Sequence, residues 1–368
     1  MNIILYEDDI TQKKQLNMMK KIFAFLFLSI LFVACDDSED TDVLEVPDTY
    51  PVDFTTNPPA VLTAADNIGS ISSKMKEADP TNGNNLVTAA DLESIYTNGT
   101  PSLEDITTSY YDNYLKTTLF PEFAKAATSA NGGAVIDFTD PAASGEGGSA
   151  YNHLLDEDAT ELEQYIEKAL YGAAGFNYAV NTLLSGDLTT EDVNGALALY
   201  GEDGTLEKAK LTSNYANRRG MADDIEAEFL TLYAAVEQGF TSEAEESRSN
   251  VIEMWEKAIM AQTIHYMYAT IDAFTGVNAG DVSDYETIAD GIHAWSEAVG
   301  FLHGFYEVNG KIIADSDIES VLSKINAPIN AGDNPITLIN SVQELGDVQS
   351  AINDLATIYN FNDPESFR

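Results

Sequence analysis

A chain of 368 residues with a formal net charge of −43 is long enough to bury a large core in one domain or in two modest ones. Such an excess of acidic residues repels nucleic acid and anionic membrane surfaces, which excludes both as binding partners. Solubility is the simplest reason for the acidity, and attraction of cations is the alternative. A single cysteine excludes an intramolecular disulfide bond.

The N-terminal segment is typical of a lipoprotein signal peptide. Two lysines precede an apolar run from Ile22 to Val33, and Cys35 follows shortly after it. The run is shorter than the roughly 20 apolar residues that span a bilayer. The letters FVAC resemble a lipobox, in which cleavage occurs before a cysteine that becomes diacylated, with Phe32 in place of the usual leucine. A core helix that ends in a buried cysteine is the alternative, and the acidic run that follows disfavours it.

These features divide the chain into a signal peptide over residues 1–34, a lipidated acidic tether over 35–58 and a helical domain over 59–368. Acidic residues near the first methionine conflict with the positive charge that a signal peptide needs there, so we expect translation to begin at Met18 or Met19. The acidic run after the cysteine resembles the export signal of Bacteroidetes-type lipoproteins. We therefore expect an outer-membrane lipoprotein that is surface-exposed or faces the periplasm.

Helical periodicity predominates after the tether. The stretch over 100–123 predicts a helix with Pro101 near its first turn and an interruption near Pro121. Longer apolar stripes predict three further helices, over 158–185, 222–240 and 247–276. Two shorter helices are predicted after them, over 316–325 and 347–359. Strand patterns are confined to the short segments GAVIDF and GKIIAD, and the glycine-rich residues 140–152 predict a long surface loop. The sequence therefore predicts a mainly α domain of antiparallel helices.

Several catalytic and nucleotide-binding motifs do not occur in the sequence. It contains no HExxH, no GxGxxG after a strand, no GxxxxGK[ST] and no GxSxG. A calcium loop aligned on Gly83 would place Ala78 where the first carboxylate is needed. We therefore assign no catalytic residue and expect a protein that is not an enzyme.

The stretch from Gly291 to Gly304 is the main candidate for a binding site. At about 100° per residue, His293, Glu297, Gly300 and Gly304 share one helical stripe, and the opposite stripe is apolar core. His293 and Glu297 are spaced i, i+4, so imidazole and carboxylate can converge on one cation. An ordinary helix-surface pair or a hydrogen-bonded buried histidine is the alternative.

Two further sets of residues complete this candidate site. His265, on the preceding long helix, is expected to supply a third metal ligand if the two helices pack side by side. Glycine inside a helix lowers its stability by about 1 kcal/mol relative to alanine, so the presence of Gly291, Gly300 and Gly304 requires a physical explanation. Either a second helix approaches closely there, or a ligand lies against the bare backbone. His153, beside the glycine-rich loop, has no specific role at this stage.

The letters GIHAWSE resemble the GxHxxE signature of imelysin-like lipoproteins. Gly291 and His293 match the signature, Ser296 occupies its glutamate position, and Glu297 follows one residue later. The resemblance implies a helical periplasmic or outer-membrane protein tied to iron uptake. Peptidase activity, once ascribed to imelysins, is a further implication of the likeness.

A second likeness covers most of residues 80–330. Segments such as LVTAADLESIYTN and WEKAIMAQTIHYMYATIDAF are similar to an uncharacterised family of Bacteroidetes lipoproteins, a domain of unknown function related to the imelysins. It implies an imelysin-like antiparallel helical bundle, accessory to iron, haem or other metal uptake. The implied ligand is iron or another divalent metal, and the implied partner is a TonB-dependent transporter or an imelysin-like protein. A surface adhesin or carbohydrate- or nutrient-binding lipoprotein is the alternative, and an imelysin-type peptidase is a third.

Overall fold

Helices account for most of the described residues, in agreement with the apolar periodicity of the sequence. The computed structural model describes residues 43–208, 210–329 and 332–368, and Leu44–Arg368 form one unit. The mainly α class is therefore confirmed. In chain order the helices are α1 (Leu62–Lys76), α2 (Ala89–Tyr96), α3 (Leu103–Ile106), α4 (Ser109–Tyr114), α5 (Phe120–Asn131), α6 (Leu162–Leu170), α7 (Asn177–Leu183), α8 (Thr190–Tyr200), α9 (Leu211–Arg218), α10 (Ala222–Gln238), α11 (Thr241–Phe274), α12 (Tyr285–Gly304), α13 (Asp315–Lys324) and α14 (Val342–Ile358).

The predicted interruption near Pro121 is a π-helical turn. Helix α4 continues into this turn over Leu115–Leu119, and α5 follows at once with Pro121 in its first turn. Proline has no N–H to donate to the preceding turn, and the wider π-helical turn, in which the Phe120 N–H donates to the Leu115 carbonyl, accommodates it within a continuous helical run. A second π-helical turn, Tyr171–Phe176, joins α6 to α7 inside the segment predicted as one helix.

Strand structure is small and lies partly where the sequence predicted a loop. Strands β1 (Gly148–Ala150) and β2 (His153–Leu155) pair antiparallel, with Ala150 opposite His153. The segment GAVIDF contributes one isolated bridge, between Val135 and Ser149, and GKIIAD forms no strand. The hairpin matters for the site because it sets His153 at the start of β2, three residues before the turn that leads into α6.

Helices α11 and α12 form the centre of the bundle. Helix α11 packs along α10 and α12, and α12 packs along α6. Trp255 on α11 and Trp295 on α12 are buried, and their indole N–H groups donate to Thr212 Oγ1 at 3.2 Å and to the Ile325 carbonyl at 2.7 Å. A buried indole N–H needs such an acceptor. The apolar stripe that the sequence assigns to the core is therefore buried as expected.

The compact unit begins earlier than the predicted domain boundary at residue 59. Tyr50 and Phe54 are buried, and the Tyr50 hydroxyl donates to Asn194 Oδ1 at 2.8 Å. The part of the tether from Leu44 onward therefore packs on the helices. The signal peptide, Met18, Met19, Cys35 and the start of the tether lie outside the described residues. In the described part of the chain, no helix is both long and apolar enough to cross a membrane.

Candidate metal centre

Two histidines converge on one buried glutamate where the hairpin, α6 and α12 meet. His153 Nδ1 lies 3.1 Å from Glu161 Oε1, and His293 Nδ1 lies 2.8 Å from Glu161 Oε2. The two imidazole rings are 5.1 Å apart between centroids. One ligand atom from each of the three residues lies within 4.8 Å of the others, a spacing at which they could hold a metal ion. Among the described residues, no other group of three has this spacing.

Local hydrogen bonds fix the position of Glu161, which directly precedes α6. After β2, Asp156 Oδ1 accepts the N–H groups of Asp158 at 3.0 Å and Thr160 at 2.8 Å, which turns the chain into the helix. The Glu161 N–H then donates to Ser296 Oγ on α12 at 3.0 Å. Ser296, which occupies the glutamate position of the GxHxxE pattern, thus holds the backbone of the glutamate that contacts His293.

Charge in this centre is strongly coupled. Burial alone would raise the pKa of Glu161, but hydrogen bonds from His153 and His293 outweigh it and lower the pKa to about 2. Burial would lower the pKa of His293, but the hydrogen bond and negative charge of Glu161 raise it to about 9. The pKa of His153 is raised against burial by the same carboxylate. At neutral pH without an ion, His293 is therefore protonated, and an incoming metal must displace its proton.

Carboxylates also face the outer nitrogens of both imidazoles. Asp290 Oδ1 lies 3.4 Å from His153 Nε2, and Glu297 Oε2 lies 3.6 Å from His293 Nε2. Imidazoles that bind metal commonly donate their other N–H to a carboxylate, which fixes the ring and makes it a better ligand. His153 has this arrangement with Asp290, whereas Glu297 lies beyond hydrogen-bond distance of His293 and acts on it through its charge.

Glu297, predicted as a metal ligand, lies one helical turn beyond His293 and is paired with a lysine. Its Oε1 is 3.3 Å from Lys168 Nζ, and both side chains are almost fully buried. Burial raises the pKa of Glu297, and the charges of Lys168 and His293 oppose that rise. The i, i+4 spacing does bring His293 and Glu297 together. Glu297, however, contacts the centre through His293 and is not one of the three converging residues.

His265 lies apart from this centre. Its Nδ1 is 2.8 Å from the Phe367 carbonyl, and burial together with the charge of Arg219 lowers its pKa. The structure therefore places His153, and not His265, beside His293. Helical periodicity does not reveal His153 and Glu161 as site residues, because it does not report contacts between a hairpin and a helix. The turn-forming letters DEDAT between them were the available signal, since a tight turn there brings the two side chains together.

The three glycines assigned to ligand approach serve helix packing instead. A Cβ at Gly300 would lie 2.5 Å from the Tyr165 carbonyl oxygen, and one at Gly304 would lie closer still to that of Ala169, both on α6. A Cβ at Gly291 would overlap the Phe274 ring at the end of α11. The glycine stripe is therefore the contact between α12 and its neighbours, and the first of the two alternatives applies.

Comparison of the chain with protein-family models, with curated proteins and with solved structures gives no match.

Proposed function

We propose that this protein is a lipid-anchored, non-enzymatic component of the cell envelope that binds a divalent transition metal for uptake. The observation that carries the proposal is the convergence of His153, Glu161 and His293 from a hairpin, a helix start and a second helix. Two imidazoles and one carboxylate form a donor set that suits Fe²⁺ or Zn²⁺. Iron fits the likeness to imelysin-like proteins, and zinc is the principal competitor.

Access to the centre supports delivery of the metal rather than permanent burial. About a third of the His293 side chain is exposed (33 %), against 5 % for Glu161. Three protein ligands leave positions open for water or for a ligand from a receiving protein. A peptidase would also need a free general base beside a bound water. The two glutamates in reach, Glu161 and Glu297, are held by imidazoles and by Lys168.

The cellular setting is part of the same proposal. The resemblance of residues 291–297 to the imelysin signature supports an imelysin-like bundle and a partner such as a TonB-dependent transporter or an imelysin-like protein. The lipobox-like letters before Cys35 support anchoring in the outer membrane. A metal-binding protein tethered there would hold its ion close to a transporter, which raises the effective concentration of the ion at the point of entry.

Metal titration of the purified protein tests the centre directly. We expect one Fe²⁺ or Zn²⁺ per chain by calorimetry and elemental analysis. We expect a loss of affinity of at least about tenfold in His153→Ala and in His293→Ala, because each removes an imidazole ligand. His265→Ala is the matched control, since it removes a half-buried histidine outside the centre. Equal affinity in the wild type and in His293→Ala would contradict the proposal.

The pH dependence of the same titration tests the mechanism of binding. Since the pKa of His293 is raised to about 9, metal affinity should increase as pH rises from 6 towards 9, with proton release on binding. Calorimetry in buffers of different ionisation enthalpy measures the released protons. Affinity that is constant over this range would show that the ion binds elsewhere.

A further inference from the structure

A second site lies along α1, away from the three residues of the metal centre. A cavity of about 660 Å³ lies between α1, the end of α8 and the connection from α8 to α9. Tyr171 and Glu167, at the end of α6, also line it. The lining runs along the whole of α1, from Leu62 to Glu77 just beyond the end of the helix, which is about 22 Å at the helical rise per residue. The cavity is thus elongated and has the volume of a small-molecule site.

Negative charge predominates in the wall of this cavity. Six carboxylates and two lysines line it: Asp66, Glu77, Glu167, Glu202, Asp203 and Glu207 with Lys74 and Lys210. The two lysines are already paired, Lys74 with Glu77 at 2.8 Å and Lys210 with Asp66 at 3.3 Å. Four carboxylates therefore remain without a cation from the cavity wall.

The nearest buried cation only partly neutralises the inner wall. Lys168 Nζ lies 2.7 Å from Glu167 Oε2 and 3.3 Å from Glu297 Oε1, so that one lysine serves two carboxylates. Glu202 is almost fully buried at 4 % exposure, and the backbone N–H of Lys208 lies 3.1 and 3.3 Å from its two carboxylate oxygens. This excess of carboxylates over cations in a recess attracts a further cation.

Gly69, in the middle of α1, faces open space at this cavity. A Cβ there would meet nothing within 4 Å, unlike those at Gly291, Gly300 and Gly304. Glycine in a helix interior costs about 1 kcal/mol relative to alanine, and at Gly69 no neighbouring helix accounts for that cost. Together with Ala65, Gly69 gives the long wall an apolar stretch between acidic residues.

We propose that this cavity binds a linear organic polycation of the aliphatic polyamine class. Ammonium groups would pair with the carboxylates along the wall, and the methylene segments would lie on the apolar stretch of α1. An elongated recess suits a linear ligand better than a compact one. The cavity wall shares no residue with the metal centre, and the proposal goes beyond the proposed function in metal uptake.

Calorimetry with spermidine in about 0.15 M salt tests the proposal, because salt at that concentration screens loose association with an acidic surface. We expect one saturable site per chain. Gly69→Phe should lower the affinity at least about tenfold by filling the cavity. Gly346→Phe is the matched control, since Gly346 on α14 also has nothing within 4 Å and lies outside the cavity wall. It should bind as the wild type does.

A second variant keeps the proposal testable if Gly69→Phe fails to fold. Glu207→Lys changes the charge of the wall without filling the cavity and should also weaken spermidine binding at least about tenfold. His293→Ala should leave spermidine affinity unchanged, which separates this site from the metal proposal. Weak binding that both variants leave unchanged would overturn the proposal. Saturable binding of neutral maltose in place of spermidine would overturn the assignment of ligand class.

Discussion

Glu161 organises the metal centre at the scale of single residues. Its carboxylate is the shared partner of His153 and His293, and its N–H is held by Ser296. A carboxylate buried to this degree would be neutral unless cations or donors surrounded it. The two imidazoles supply both, so the three side chains stabilise one another's charged forms. In the absence of metal, protons occupy the positions in which an ion would lie.

Glu161→Gln should therefore change the pH dependence of stability. In the wild type the pKa of His293 lies at about 9, above its ordinary 6.5, so its contribution is complete below pH 6.5 and is lost as pH rises through 9. We expect the wild type to lose about 2 kcal/mol of unfolding free energy over that interval, less than full burial would give because the side chain is 33 % exposed. Without the carboxylate, burial prevails, the pKa of His293 falls and most of this loss disappears.

Histidine titration by NMR, combined with urea unfolding between pH 6.5 and 9, checks this expectation. Glu246→Gln, which removes an exposed carboxylate on α11, is the control and should follow the wild-type profile. If the unfolding free energy of Glu161→Gln depended on pH as that of the wild type does, Glu161 would not set the pKa of His293.

Close contact between α6 and α12 is the main feature at the scale of elements. It places Glu161, at the start of α6, against His293 and Ser296 on α12. Gly300 and Gly304 make the approach possible because any side chain there would overlap the α6 backbone. The same packing brings Lys168 on α6 to Glu297 on α12. The glycine stripe thus determines how the polar residues of the two helices meet.

Gly300→Ala should destabilise the protein, although alanine is the better helix former. The added Cβ would lie 2.5 Å from the Tyr165 carbonyl oxygen, so the helices must separate, at a cost of about 1–3 kcal/mol. Gly346→Ala, where nothing lies within 4 Å, should instead stabilise the protein by about 0.5–1 kcal/mol. Urea unfolding of both variants measures whether each substitution lowers or raises the free energy of unfolding. A gain in stability in Gly300→Ala would contradict close packing of α6 on α12.

At the scale of the whole molecule, an acidic body is expected to be joined to a membrane by its N-terminus. The net charge of −43 opposes contact between the folded body and an anionic membrane, so attachment would depend on the lipid. Attachment through a lipid on Cys35 is a prediction from the sequence.

Cys35→Ala should release the protein from the membrane fraction, because no thiol remains to carry the lipid. Fractionation of cells that express the full chain, followed by metabolic labelling with a fatty acid, measures both attachment and lipidation. Ser38→Ala, three residues further on, is the control and should leave both unchanged. Membrane attachment that persists in Cys35→Ala would remove the basis for a lipoprotein.

The sequence by itself determined the class of fold and the positions of most long helices. Apolar residues at helical spacing predict α10, α11 and α14, because a helix must turn one face to the core whatever its neighbours are. The same reasoning identified His293 and its i, i+4 partner Glu297. These features depend on contacts within one helix, and a local pattern is enough to reveal them.

Only the tertiary structure decided which residues complete the site. Glu161 lies 132 residues from His293 in the chain and His153 lies further still, and no local period records such contacts. The tertiary structure also places His265 in contact with the C-terminal segment, and it shows that the glycines serve helix packing. The physical reason is that a buried carboxylate, two imidazoles and a close helix crossing depend on which surfaces face one another, and that arrangement arises only when the whole core is packed.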